Sequence, residues 1–303
     1  MKPVFDVVGL YKRGSEAILE TIQRVLESGQ YILGQEVKAF EKEFAEATGN
    51  KYCVGCGSGT DAITLALIAL DIAQEIIAPN FTAYPTIVGI VQSGGRVVLV
   101  DVKESALIDE VQIEKAITKK TKAIVPVHLF NRYCNMKEIN RIAKKYKLKV
   151  IEDCAQRTFT KITGDCGAYS FYPTKTLGGF GDGGACCTND KTTYEKLLAM
   201  RDYGQTSKNV FKYQGLNSRM DEIQAAILRV KLKKKLFMPQ PKYEQTDFRD
   251  SRFAINKTIG LETLIHYPYV ISEQEAFKGR KVGKCPVSKK ISETILTLPP
   301  LDK

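Results

Sequence analysis

From about residue 50 to residue 190, short apolar runs alternate with stretches in which apolar positions recur at helical spacing. The runs at 51–54, 75–78, 97–101, 123–129 and 150–153 read as strands. Between them, 61–73, 85–92, 113–117 and 136–146 read as helices, and in the last Ile139, Ile142 and Ala143 share one face. Two further helices are predicted at 193–201 and 221–232. The run 123–129 is nearly all apolar, as a strand covered on both faces has to be. This β-α-β alternation predicts an α/β fold with a mostly parallel central sheet flanked by helices. Beyond Lys235 the period fades, and 237–253 carries Pro239, Pro241, Asp247 and Asp250 without a regular pattern. The chain therefore divides into a large domain, 1–235, and a small C-terminal α+β domain, 236–303.

Composition narrows the class. A chain of 303 residues has room for roughly two domains. Its hydrophobic fraction of 44% and charged fraction of 26% exclude a wholly disordered chain. The net charge is +11, but the lysines are dispersed, with no arginine-rich arm or aromatic platform, so no nucleic-acid partner is expected. The densest run, Lys231 to Lys235, reads as the solvated end of a helix. No apolar run reaches about 18 residues, so no membrane partner is expected. Residues 1–10 lack a basic region followed by an apolar stretch and do not read as a signal peptide.

Of eight cysteines only Cys53 and Cys56 form a CxxC pair, and the histidines are two, His128 and His266. A zinc site needs a second ligand pair at metal spacing, so the cysteines read as buried, reduced small hydrophobes and no metal is assigned. The cytoplasm is the compartment this implies.

Ligands of open α/β sheets bind beyond the carboxyl ends of the strands, and three constellations fall there. Gly55-Cys56-Gly57-Ser58-Gly59-Thr60-Asp61 lies between a strand and a helix. It reads equally as a plain tight turn and as a phosphate cradle, with glycines for close approach and a helix N-terminus for the anion. It lacks the lysine of a P-loop. Glu152-Asp153-Cys154-Ala155-Gln156 ends a buried strand with two acids, which fits a helix N-cap or an acid facing a protonated ring nitrogen. Lys175 follows the short aromatic run Ser170-Phe171-Tyr172 and enters a loop with five glycines. A surface lysine is the default, but a lysine held there can lose its proton and form a Schiff base, and Ser170 can donate to a phosphate. Taken together, a phosphate loop, an acid for a ring nitrogen and such a lysine describe a pyridoxal phosphate site.

The chain resembles the sugar-nucleotide aminotransferases of the DegT/StrS type, which have the pyridoxal-phosphate fold type I. The resemblance runs through Tyr31 to Val37, Gly57 to Ala62, Pro126-Val127-His128-Leu129-Phe130, Ile151 to Gln156, Ser170 to Lys175, Arg201-Asp202-Tyr203-Gly204 and Asn217 to Ala226. It implies the cofactor pyridoxal 5'-phosphate, with Lys175 and Asp153 as catalytic residues. Asp153 would hold the ring nitrogen protonated, Gln156 would lie beside the ring, and Ser170 with Gly59, Thr60 and Asp61 would bind the phosphate. Asn217 would reach the phosphate held by a second copy, which implies a homodimer. L-glutamate would donate the amino group to a keto-sugar nucleotide, by resemblance a dTDP-linked 3- or 4-keto-6-deoxyhexose, in amino-sugar biosynthesis. A pyridoxal-phosphate-binding homologue without turnover is the alternative reading.

Several positions depart from the family. Ala83 stands where an aromatic usually stacks on the ring, and the adjacent Tyr84 is taken as its substitute. Asn131 follows Phe130 where glycine is usual, and Arg157 follows Gln156 where a small residue is usual. The family pattern returns at Ile265-His266-Tyr267-Pro268, with His266 and Tyr267 on the substrate side, and at Ile295 to Pro299. Only about thirty residues separate Lys235 from His266, so the small domain is expected to be shortened.

Overall fold

The computed structural model describes residues 3–245, 263–277 and 282–300. Three helices open the chain: α1 (Val7–Lys12), α2 (Ser15–Ser28) and α3 (Gln35–Thr48). The sheet region follows as β1 (Tyr52–Cys56), α4 (Gly59–Ala69), β2 (Glu75–Pro79), α5 (Tyr84–Gln92), β3 (Arg96–Val100), α6 (Glu110–Ala116) and β4 (Thr121–Ile124). It continues through α7 (Met136–Tyr146), β5 (Lys149–Asp153), β6 (Cys166–Ser170), β7 (Gly184–Thr188) and α8 (Lys191–Met200). After a small hairpin, β8 (Gln205–Ser207) and β9 (Val210–Phe211), come α9 (Glu222–Lys233), β10 (Lys242–Gln245), α10 (Pro286–Thr294) and β11 (Ile295–Leu298).

The seven-stranded sheet has the order β1-β7-β6-β5-β4-β2-β3. Only β7 runs against its neighbours, so the sheet is mostly parallel as the alternation predicts. Alternate residues serve opposite faces: Ile76 and Ala78 join the core under α4 and α5, while Ile77 packs towards α6 and α7. Both faces are thus covered, which is why these strands are apolar throughout.

Two predicted boundaries move. The run 123–129 gives regular strand only as far as Ile124. Pro126 has no N–H for the ladder, although its carbonyl still accepts from Asp153 N at 2.9 Å and Val127 still bridges Asp153. The helix expected at 61–73 is Gly59–Ala69, because Asp71 takes the left-handed conformation (φ 57°) that ends it.

The lysine run is also corrected. Lys231 is only 1% exposed, and its ammonium reaches back to the Gly178 carbonyl and over the Phe180 ring. Helical spacing turns this one position inward while Lys233, Lys234 and Lys235 remain at the surface. The cysteines follow expectation: all eight are free thiols, and every one except the half-buried Cys285 is buried. Burial raises the Cys56 and Cys154 thiols far above their ordinary pKa, so they stay protonated.

Asp247 and Asp250 lie outside the described residues. The described chain after Lys235 packs against the carboxyl ends of β2 and β3. Asp101 accepts from Val287 N (3.0 Å), Ser288 N (2.8 Å) and Ser288 Oγ (2.6 Å), capping α10. Asn80 binds Ile271 N and Ser272 N, and Ile271 and Phe277 enter the core against α4 and α5. At the other end of the sheet, Arg201 and Glu41 form a buried ion pair that also grips Gly55, accepting from its N–H (2.7 Å) and donating to its carbonyl (2.9 Å). Arg201→Ala would leave the Glu41 charge buried without its partner, and urea denaturation should show a loss of about 3–5 kcal/mol.

Candidate active site

The loop after β1 is built to admit an anion closely. Ser58 caps α4, its Oγ accepting from Asp61 N at 3.0 Å. Ser218 closes the loop from the opposite side, accepting from Gly57 N (3.0 Å) and donating to Asp61 Oδ2 (2.7 Å). A side chain at position 59 would place its Cβ 2.7 Å from Ser170 Cβ, so only glycine allows the loop and the end of β6 to come together. Gly184 answers the same constraint, since a Cβ there would lie 2.2 Å from Ser58 O. The structure thus brings Gly59, Thr60, Asp61 and Ser170 to one corner at the carboxyl ends of β1 and β6.

Asp153 ends β5 in the middle of the sheet and is 4% exposed. Its Oδ2 accepts from Thr86 Oγ1 at 2.8 Å and its Oδ1 from Ala155 N at 3.0 Å. The neighbouring Glu152 points to the other face and is wholly buried. It is saturated by His128 Nε2 (2.8 Å) and by the N–H groups of Thr163 and Gly164 (2.6 Å each). Of the two acids, Asp153 is therefore the one left facing the site. His128, Glu152 and Cys154 have donor atoms within 4.8 Å of one another, but His128 Nδ1 already accepts from Cys134 N and the Cys154 thiol is protonated. Their bonds hold the strand rather than form a metal site.

Lys175 follows β6 and reaches a small cavity lined by Gln156, Tyr243, His266 and Tyr267 among others. Its ammonium makes no hydrogen bond to a described residue. Enclosure pushes its pKa below the ordinary lysine value, with the charge of Asp153 acting in the opposite sense. Gln156 spans the cavity, its Oε1 accepting from Phe130 N (2.8 Å) and its Nε2 donating to Tyr267 OH (2.9 Å). His266 bonds Thr297 Oγ1 at 3.0 Å, and burial together with the Lys175 charge lowers its pKa. Burial pushes Tyr243 up to about 12 and Tyr267 higher, so both keep their phenolic protons at neutral pH.

Tyr84 is not brought to this cavity. It is the first residue of α5, and its ring meets Phe277 edge-on at 6.1 Å. Ala83 precedes it as the helix cap. Asn217 is exposed, on a segment bridged to Asp202, and does not line the Lys175 cavity. Arg157 turns away from the cavity, donating to Asn131 O at 2.6 Å and covering the Tyr133 ring. A larger groove of about 1250 Å³ lies between α2, α3 and α9, lined by ion pairs of Arg229 with Glu36 and Glu43 and remote from the strand ends.

Two residues that hold the site escape a reading of the sequence. Thr86 binds Asp153, and its only sequence signal is a polar position one turn into an otherwise apolar helix. Ser218 follows Asn217 in a stretch with no periodicity, and its partners are more than 150 residues away in the chain.

The chain belongs to the DegT/DnrJ/EryC1/StrS aminotransferase family, whose sequence model matches residues 12–254. A dTDP-3-amino-3,6-dideoxy-alpha-D-galactopyranose transaminase of Aneurinibacillus thermoaerophilus is 38% identical, over 99% of this chain and 94% of the relative. A dTDP-3-amino-3,4,6-trideoxy-alpha-D-glucose transaminase of Micromonospora megalomicea subsp. nigra is 44% identical over 73% of this chain and 62% of the relative. The fold matches the crystal structure of S. venezuelae DesV in complex with a ketimine intermediate. The TM-score is 0.92 at 31% identity, covering 98% of this chain and 92% of that one. The first alignment spans 341 positions against the 303 residues here, so that relative carries residues this chain lacks. This is a pyridoxal-phosphate-dependent aminotransferase of fold type I.

The residues present fit that cofactor. The Gly59–Ser170 corner leaves room for an anion but not for a side chain, the Lys175 amine has lowered proton affinity and no hydrogen-bond partner among the described residues, and Asp153 offers a buried carboxylate. Gly59→Ala should weaken pyridoxal phosphate binding about tenfold or more, roughly 1.4 kcal/mol, in an absorbance titration, with the far-ultraviolet circular dichroism unchanged.

Proposed function

We propose that this enzyme moves the amino group of L-glutamate to a nucleotide-linked keto-sugar, with a dTDP-linked 3- or 4-keto-6-deoxyhexose as acceptor. The observation that carries the reading is the enclosed amine of Lys175, which makes no hydrogen bond to a described residue and feels the charge of Asp153, together with the glycine-lined anion corner. The dTDP-amino-sugar names of the two relatives support the choice of acceptor.

When bound, pyridoxal phosphate supplies an electron sink for the electrons released at the amine-bearing carbon. In this reading Lys175 Nζ would carry the proton from the donor's amine-bearing carbon to C4′ of the cofactor, and in the second half would carry one from C4′ to the acceptor carbon that gains the amino group. Asp153, steadied by Thr86, holds a proton on the ring nitrogen. Gln156 orients the ring from the side that Tyr267 closes. Ser170 Oγ and the N–H groups of Gly59, Thr60 and Asp61 bind the phosphate at the start of α4. His266 and Tyr267 face the incoming substrate. In this proposal the large domain, 1–235, holds the cofactor, and the small domain, 236–303, contributes Tyr243, His266 and Tyr267 to the cavity wall.

The active unit in this proposal is a homodimer. Asn217 is exposed and bridged to Asp202, next in the chain to the exposed Tyr203 and to the hairpin that exposes Val210 and Phe211, a surface that a second copy would cover. The eight free thiols suit a reducing cytoplasm.

The deciding experiment is the visible spectrum of the protein with pyridoxal phosphate, before and after L-glutamate. Glutamate should convert the lysine-linked absorption band to that of the amine form, and Lys175→Ala should abolish both the band and the conversion. A band that glutamate leaves unchanged would sink the transaminase assignment and leave a cofactor-binding protein without turnover. Asn217→Ala should weaken cofactor binding several-fold without changing the dimer mass in light scattering, whereas a monomeric wild-type protein would overturn the shared site.

A further inference from the structure

We propose that Lys231 is a positioning residue for the reaction: from α9 it grips the loop that carries Lys175 and thereby fixes where the Lys175 amine stands. The inference rests on the role given to Lys175 above. A lysine buried without a carboxylate is costly, so its position needs an account. The Lys231 ammonium donates to Gly178 O and lies 5.2 Å from the centroid of the Phe180 ring. Among the described residues no acidic group contributes to its environment, and burial draws its pKa down to about 8.

The loop it grips is closed on itself. Lys175 N donates to Tyr172 O at 2.8 Å and Gly179 N returns to Phe171 O at 2.7 Å, so Lys175 sits in the middle of a ring running from 171 to 179. Position 178 lies so close to the start of that ring that a Cβ would meet Pro173 O at 2.4 Å. Gln224, two turns before Lys231 on the same face of α9, accepts from Phe180 N at 2.9 Å. A Cβ at Gly179 would fall 2.7 Å from Gln224 Oε1. The helix thus holds residues 178 and 180 while Met238 N holds Thr176 O at 2.8 Å from the other side. An apolar side chain at 231 would fill the same space but leave the Gly178 carbonyl without this donor. The charged and titratable groups around Lys175 itself are Asp153, His266, Tyr243 and Tyr267, so Lys231 acts on it through the loop and not through charge.

The test measures the Lys175 amine directly in the cofactor-free protein. The pH profile of its reaction with a trace acylating reagent is read by peptide mass spectrometry. In the wild type, the half-reaction pH should lie below the ordinary lysine value of about 10.4. In Lys231→Met, and in Gln224→Met should the first variant fail to fold, the loosened loop admits water. The Lys175 midpoint should then rise by about one pH unit, and pyridoxal phosphate affinity, read by absorbance titration, should fall about tenfold. An unchanged Lys175 midpoint and unchanged affinity in a folded variant would overturn the proposal. The acylation profile needs neither cofactor nor substrate, so a failed glutamate conversion would count against the transaminase reading and leave this result standing.

Discussion

The structure turns on the cost of burying charge at the end of a doubly covered parallel sheet. β5 delivers two carboxylates, Glu152 and Asp153, to a place with almost no water. Each must be met by the chain. Glu152 is met completely, by a histidine and two backbone N–H groups. Its histidine is in turn fixed, because Nδ1 accepts from Cys134 N and the proton must sit on Nε2. Asp153 is met by Thr86 and Ala155 N and still faces Lys175. The first acid organises the strand, and the second is left to act on a ligand.

The same economy governs the opposite charge. Among the described residues Arg201, Lys231 and Lys175 lie enclosed near the sheet, each treated differently. Arg201 is paired with Glu41 and pins Gly55 just before the anion loop. Lys231 is given a carbonyl and an aromatic face. Lys175 is given neither, and its amine faces the cavity. A nucleophilic lysine reacts as the free amine, and here the shift towards that form comes from burial, against the opposing charge of Asp153.

Much of this was legible in the chain. The apolar alternation gave the sheet and its flanking helices because a two-sided parallel sheet forces strands to be apolar and crossovers to be helical. Gly59, Asp153, Ser170 and Lys175 could be singled out because each stands where a strand ends. What stayed hidden was set by contacts far apart in sequence. Ser218 reaches Gly57 across more than 150 residues, and Thr86 reaches Asp153 from a helix that looks purely apolar. Lys231 was misread because a run of like charges conceals which one faces inward. The place of the Tyr84 ring against Phe277 is likewise set by a contact nearly 200 residues away in the chain.

The two departures beside the cofactor site, Asn131 and Arg157, are parts of one arrangement. Phe130 and Asn131 are both left-handed (φ 57° and 58°), a conformation that costs a side-chain-bearing residue roughly 1–2 kcal/mol each, less for asparagine. Arg157 donates to the Asn131 carbonyl while Gln156 accepts from Phe130 N, so neighbouring residues grip the two ends of the strained turn. The turn in turn presents the Phe130 ring to Tyr243, stacked at 3.8 Å, and Tyr243 lines the Lys175 cavity. The large side chain at 157 therefore does not crowd the cavity. It lies outside, over Tyr133, where its charge stabilises the turn that holds Gln156 against Tyr267. A small residue at 157 would leave that turn with one restraint fewer. The arginine and the asparagine are thus best understood as a pair, each accounting for the presence of the other.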